Sequence, residues 1–430
     1  MCKSACLFIF IHLITFSTCD QVDKKWVEDV VVQDDKSHNV KEIISLVTSP
    51  AVQNITTFGS EDTRLTMELL LTNGLHTKRS LILKAIPSTP ALHKQVAESG
   101  LFNTEIMIHR DALAKMEHVL NEMHDRSEPL WVRALGFKEY EQLLLEDAVE
   151  ELGYKTGDRW KGLDMDHTVL ALKAMAKFHA LSAVTDEINN HKLRDQFHQS
   201  LLERNYEGLK DFYEVVFNNF AKVIEDTWEP EWASAAKRVR EAAPNVKEKL
   251  LKLYQKRDTF LNTLNLGSPT VRHTLFKYSI SDLYTSDKPL AARFDYFQIS
   301  FFNSPIHDVQ YFMNTSPELE IMTKHKNIVL KIYFESLKDY LKKFGYKGRL
   351  PTEEEFQKEV ERNNFEGITI AIQILPVIFE APPTPGSYEE SAKENQNSNT
   401  TVLNPYGMNS KHYETYMKVL LKRAFDENLL

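Results

Sequence analysis

Glycine is scarce in this 430-residue chain, with 14 in all, or roughly 3% against a usual value near 7%. Before Gly153 only Gly59, Gly74, Gly100 and Gly136 occur, so no two of them fall within one tight turn. That composition weighs against a mechanism resting on a glycine-rich phosphate loop. Excess basic charge is also missing: 52 Lys and Arg face 61 Asp and Glu, for a formal charge of −9 and a pI near 6.0. Nucleic-acid binding is excluded on that balance, because phosphate neutralisation supplies most of such affinity. Long apolar runs of a multi-span membrane protein are absent. So are the H-E-x-x-H and G-x-S-x-G motifs of metalloproteases and serine hydrolases.

Cysteine occurs three times, at Cys2, Cys6 and Cys19. Residues 1–19 read as a secretory signal peptide: a lysine near the start, an apolar run from Leu7 to Phe16, then small residues before Asp20. Its removal would leave a secreted, extracellular chain without a thiol, hence without disulfide, cysteine metal site or cysteine nucleophile. The apolar run is too short for a membrane anchor, so no membrane association is expected after processing. Sequons at Asn54, Asn314 and Asn399 make the product a candidate glycoprotein.

Residues 20–47 read as charged and weakly helical. Strands follow at Ile55–Phe58, Leu65–Leu71 and Leu81–Ile86, the last two joined through Asn73-Gly74 as antiparallel neighbours. Residues 91–120 read as helix, and short strands are expected at Leu130–Leu135 and Gln142–Leu145. From His167 the helical period dominates, broken by an aromatic, β-rich interlude over 271–302, and it resumes at 317–344, 352–377 and 410–425. The composition of 381–404 reads as a mobile loop. The order predicts an α+β, bilobal protein-kinase-like fold: an N-lobe over 20–145 and a helical C-lobe over 146–430.

Specific segments extend that expectation. LILKAIP (81–87), LFNTEIMIHRDALAKME (101–117), LLLEDAVEELGY (143–154), the helix ending KFHALSAV (177–184), and the segment from FKYSIS to HDVQYFM (276–313) follow one another in order. Together they resemble the insect ecdysteroid kinase-like (CHK kinase-like) family, relatives of choline kinases and aminoglycoside phosphotransferases. The resemblance implies phosphorylation of a small-molecule hydroxyl, such as that of an ecdysteroid, with MgATP. Phosphoryl transfer needs a lysine on the phosphates, a glutamate holding it, an aspartate orienting the acceptor, and carboxylate and amide ligands for Mg²⁺. By the resemblance, Lys84 and Glu105 are the cofactor-binding pair.

The remaining parts depart from the family. Its H-G-D-x-W-x-x-N loop, registered on Phe276-Lys277-Tyr278, falls on LNLGSPTVRHTL. Leu266 then stands for the histidine, Gly267 for the glycine, Ser268 for the catalytic aspartate and His273 for the metal-binding asparagine. Tyr296 stands at the metal-binding aspartate of the family's D-F-Q motif. Asp295 lies one residue earlier, and strict strand alternation predicts that it faces away from the site. Glu61 and Asp62, in the candidate phosphate loop FGSEDTR, would repel a triphosphate, with Arg64 offsetting them in part. His179 is expected to be a packed helix histidine and Asp308 a support for the catalytic loop. Phe294, Tyr296, Phe297, Phe301 and Phe302 are expected in the core. His167 and His179 are twelve residues apart on one helix, too far to share an ion unaided.

No catalytic or metal-ligating residue and no cofactor are therefore assigned. The expected function is a secreted pseudokinase that binds an apolar or steroid-like small molecule, or an extracellular protein, with Leu266 and Tyr296 making its cleft less polar. The alternatives are an active ATP-dependent phosphotransferase using Asp295 and His273 as displaced metal ligands, and a secreted effector acting through its surface.

Overall fold

The computed structural model describes residues 22–37, 39–51, 59–88, 90–204, 206–255, 260–281, 284–379 and 406–430. Residues 1–19, the strand expected at 55–58, the loop at 381–404 and the sequons at Asn54 and Asn399 lie outside the described residues.

Helix α1 (Lys24–Asp34), capped by the Asp23 carboxylate accepting from Trp26 N at 3.1 Å, precedes β1 (Val40–Pro50), β2 (Glu61–Leu71) and β3 (His76–Ala85). A helical run follows: α2 (Pro90–Ser99), α3 (Leu101–Met107), a π-helical stretch (Ile108–Leu113) and α4 (Ala114–Glu122). Strands β4 (Ala134–Lys138) and β5 (Gln142–Glu146) complete a five-stranded antiparallel sheet of order β1-β2-β3-β5-β4. The expected Asn73-Gly74 turn joins β2 to β3, with Gly74 at φ +81°, which a side chain would strain. Of the residues expected to be weakly helical, 24–34 form α1, whereas 40–47 belong to strand β1. Register shifts at 40/42 and 43/45 break the alternation that would have marked it.

The sheet is covered on both faces, and period-two alternation divides its side chains. Leu144 joins Leu65, Leu81 and Leu83 against Val27 and Val31 of α1, while Leu143 and Leu145 join Phe102 and Ile106 of α3.

The second lobe contains β6 (Lys155–Thr156), α5 (Met165–Ile188), α6 (Lys192–Gln196), α7 (Phe212–Thr227), α8 (Ala233–Ala242), α9 (Val246–Tyr254), β7 (Thr263–Asn265), β8 (Thr274–Ser281), β9 (Tyr284–Phe294) and β10 (Phe301–Asn303). It closes with α10 (Ile306–Met313), α11 (Lys326–Lys343), α12 (Glu353–Arg362), α13 (Asn364–Ile378) and α14 (Lys411–Asp426). Helix α5 is the axis of this lobe: it is apolar on nearly every face and packs against α11 and β9, as a core helix must. Phe294, Phe297 and Phe302 are buried in the core it organises, with Phe178 of α5 6.2 Å from the Phe297 ring, and Phe301 is buried against Tyr254 and His307, as expected, whereas Tyr296 is only half-buried. The whole is the α+β, bilobal kinase-like arrangement.

Candidate functional site

Lys84 lies near the end of β3, directly opposite Asp62 of β2. Facing residues on adjacent strands project from the same side of the sheet, about 5 Å apart. Lys84 Nζ donates to Glu105 Oε1 at 2.9 Å and to the Asp295 carbonyl at 3.0 Å. Glu105, on α3, is fully buried, and its carboxylate also accepts from Phe297 N at 3.3 Å and Gln298 Nε2 at 3.1 Å. Four hydrogen bonds from three donors thus tie the sheet, α3 and the chain after β9 together. Burial opposes the charge on Lys84, but Glu105, Asp62 and Asp295 together hold its ammonium well above the usual lysine range.

The loop between β7 and β8 hangs from Asp308, in the first turn of α10. Its carboxylate accepts from Leu266 N at 2.6 Å, Gly267 N at 2.8 Å and His179 Nε2 at 2.9 Å, and the other ring nitrogen of His179 meets Tyr333 Oη at 2.8 Å. Asp308 and His179 thus occupy the supporting and packed positions expected of them. Gly267 sits at φ +95°, and a Cβ there would stand 2.4 Å from Ile299 O, so the turn requires glycine. Leu266 is 1% exposed and belongs to the main core. The expectation that Leu266 makes the cleft less polar therefore fails: a leucine beside Asp308 gains more by turning inward. Ser268 is buried, and its Oγ has no hydrogen-bond partner among the described residues.

The chain after β9 corrects a second expectation. Strand geometry ends at Phe294, residues 295–297 are irregular and 298–299 turn. The period-two rule therefore does not govern Asp295. Its carboxylate meets His273 Nδ1 at 3.3 Å and stands in the field of Lys84 and Asp62. Burial opposes its charge, but the hydrogen bond and charge of His273, with Lys84, hold it below the usual carboxylate range. Tyr296 stacks on His273 with centroids 4.4 Å apart and planes 25° apart, its ring lies 5.4 Å from Lys84 Nζ, and its hydroxyl donates to Gln298 Oε1 at 3.0 Å.

Gln298 is a residue that sequence reasoning missed. It reaches Ser60 Oγ at 3.4 Å, and Ser60 donates to Asp62 at 2.7 Å. Gly59, at φ +95°, lies so close that a Cβ would stand 2.1 Å from Gln298 Oε1. The turn before β2 thus closes down onto the Glu105 assembly. Asp62, seen in the sequence as a repulsive loop residue, is a ladder partner of Lys84, and burial raises its carboxyl above the usual range. Only the β2–β3 register shows this.

The assembly suits magnesium triphosphate poorly. Lys84 already answers to three carboxylates, so the cluster repels an added polyanion. Mg²⁺ takes oxygen ligands in octahedral array, whereas Asp295 is paired with an imidazole. Among the described residues no three His, Cys, Asp or Glu side chains are placed to hold one ion. A groove of about 1050 Å³ lined by Asp34, Arg79 and Arg133 lies apart from this assembly on the outer side of the N-lobe, with Asp34 already bonded to both arginines at 2.7 and 2.6 Å.

A buried lysine–glutamate pair under a five-stranded sheet, and a loop hung on an aspartate in the helical lobe, define a kinase-like protein. The ecdysteroid kinase-like family matches residues 54–346, and the chain belongs to that family. Among solved structures, it is similar to the macrolide 2'-phosphotransferase MphH apoenzyme from Brachybacterium faecium, with 12% identity, TM-score 0.36, and coverage of 93% of this chain and 97% of that one. It is also similar to ADP-bound aminoglycoside phosphotransferase APH(2'')-Ib, with 9% identity, TM-score 0.30, and coverage of 88% and 98%. No curated protein matches the chain.

Proposed function

We propose that this protein is a secreted pseudokinase, a kinase-like scaffold that binds a partner without transferring phosphate. The observation that carries the reading is Ser268. Its loop is held in place by Asp308, yet a hydroxyl without a hydrogen-bond partner among the described residues stands where the resemblance puts the carboxylate that orients the acceptor. The saturated charge of Lys84 and the collapse of Gly59-Ser60 onto Gln298 support the same reading. For localisation, support comes from the composition of residues 1–19, and no helix of the described residues is long and apolar enough to cross a membrane. The partner is an apolar or steroid-like small molecule or an extracellular protein. Tyr296 offers a half-buried ring to such a molecule, with Asp62 and Asp295 as acceptors for its hydroxyl groups.

A second reading rests on Asp295, which faces the site after all. In it the protein is an active phosphotransferase in which Asp295 and His273 hold the metal. Thermal-shift titration with ATP, with and without Mg²⁺, separates the two readings. The first expects no metal-dependent rise, and a rise that requires Mg²⁺ would overturn it. Turnover of steroid or other alcohol acceptors is expected to be undetectable in the parent, and to emerge in Ser268→Asp/His273→Asn with Asp295 left in place. Parent turnover in the ordinary kinase range, about 1–100 s⁻¹, would refute the pseudokinase reading.

A further inference from the structure

The sequon at Asn314 leads to a different part of the molecule. Asn314 is 1% exposed at the C-terminal end of α10, the far end from Asp308, and its Oδ1 accepts from Arg423 Nη2 at 2.6 Å. Its Nδ2 donates to Gln310 Oε1 at 3.1 Å, and Gln310 Nε2 donates in turn to Asn364 Oδ1 at 3.0 Å. The chain of carboxamides lies flat on α13 because position 367 is glycine: a Cβ there would stand 2.4 Å from Asn314 Nδ2. At its other end Lys326 Nζ reaches Asn364 Oδ1 at 3.4 Å.

Two half-buried cations, Lys326 and Arg423, thus share one neutral network, and among the described residues neither forms an ion pair. The carboxylate that acts on both is Glu427, held by Asn364 Nδ2 at 2.9 Å. Burial first, and the charge of Arg423 second, push the Lys326 ammonium down to about 8, against the pull of Glu427. Cations withdrawn from water are ordinarily paired, and this chain carries an excess of carboxylates with which to pair them. The carboxamides orient the two cations but supply no countercharge.

We propose that Lys326 and Arg423 form a binding site for a tetrahedral oxyanion, the phosphate or sulfate group of a small molecule or a sulfated glycan. Arg423, whose Nη2 donates to Asn314 Oδ1 and whose Nη1 donates to Met322 O at 3.5 Å, supplies its remaining guanidinium N–H groups, and Lys326 a point charge. The site stands independently of whether the Lys84 assembly transfers phosphate.

The test is calorimetric titration of the full-length protein with inorganic phosphate, inorganic sulfate and a heparin oligosaccharide, each against chloride at matched ionic strength. Phosphate and sulfate are expected to bind above the chloride control. Lys326→Gln, which forfeits one weak hydrogen bond and should fold, is expected to bind them at least about tenfold more weakly, the loss of one charge-assisted contact. Glu427→Gln, which removes the competing negative charge, is expected to bind several-fold more tightly. Tighter binding of the oligosaccharide than of free sulfate assigns the site to a glycan, and equal binding per sulfate assigns it to a free anion. Indistinguishable titrations with sulfate, phosphate and chloride, or unaltered affinity in Lys326→Gln, would overturn the proposal.

Discussion

Lys84→Met tests whether the assembly is a structural knot or an open nucleotide site. The Lys84 side chain is 7% exposed and that of Glu105 0%. Removing the ammonium leaves Glu105, among the described residues, with Phe297 N and Gln298 Nε2 as donors, and leaves the charges of Asp62 and Asp295 without their common counterion. Breaking a buried pair from one side costs about 3–5 kcal/mol, because the surviving ion stays uncompensated. An idle surface lysine would cost less than about 0.5 kcal/mol. The pH dependence adds a sign. In the variant the already raised Asp62 loses the cation that opposes its burial, so its folded-state pKa stands further above its unfolded one. The folded variant therefore takes up a proton as pH falls through that value and regains stability relative to the parent. Urea unfolding followed by tryptophan fluorescence should show the deficit at pH 7 and a smaller deficit at pH 5. Lys84→Met/Glu105→Gln should recover more than half of it. A single variant within about 0.5 kcal/mol of the parent at pH 7, or a deficit that grows on acidification, refutes the reasoning.

His109 packs edge-on against Phe297 at 5.3 Å, and burial pushes its imidazole down to about 4. The unfolded chain takes up the proton first, so stability should fall as pH drops from about 6.5 to 4, by up to about 3 kcal/mol, and unfolding midpoints of His109→Leu should lack that slope. Asp308→Ala strips Leu266 N, Gly267 N and His179 of their acceptor, and an expected loss of about 3–5 kcal/mol should appear as a lowered urea midpoint. Peptide mass spectrometry of protein secreted from insect cells should find Asn314 without glycan, since its amide is buried and bonded to Gln310 and Arg423.

How much of this was legible follows from the range of the interactions. The hairpin through Asn73-Gly74, the apolar axis α5 and the position of Lys84 on a strand follow from local periods and turn chemistry, and the structure bears them out. Strand β1 was not legible, because its register shifts scramble the two-residue alternation on which a strand is recognised. The surroundings of Lys84 depend on pairings distant in sequence. That Asp62 faces it is set by strand register, and that Gln298 reaches Glu105 requires residues 193 positions apart to meet. No spacing rule reports either.

Asp295 and Tyr296 show where a sound local rule met its limit. Alternation sends neighbouring side chains to opposite faces only while the strand lasts, and β9 stops at Phe294. Beyond it the backbone is held by Lys84, through the Asp295 carbonyl, and by Glu105, through Phe297 N. Those two anchors set the orientation of residues 295–298. They admit the Asp295 carboxylate and the Tyr296 ring to one face together, with His273 bonded to the first and stacked on the second. Asp295 therefore faces the site although it stands one residue before the position at which the resemblance puts the family's aspartate, and Tyr296 shares that face. Ser268 differs: its loop is fixed by Asp308 and the glycine at 267, and its hydroxyl has no hydrogen-bond partner among the described residues. Under the pseudokinase proposal, restoring Ser268 to aspartate is therefore the first step of any attempt to recover transfer.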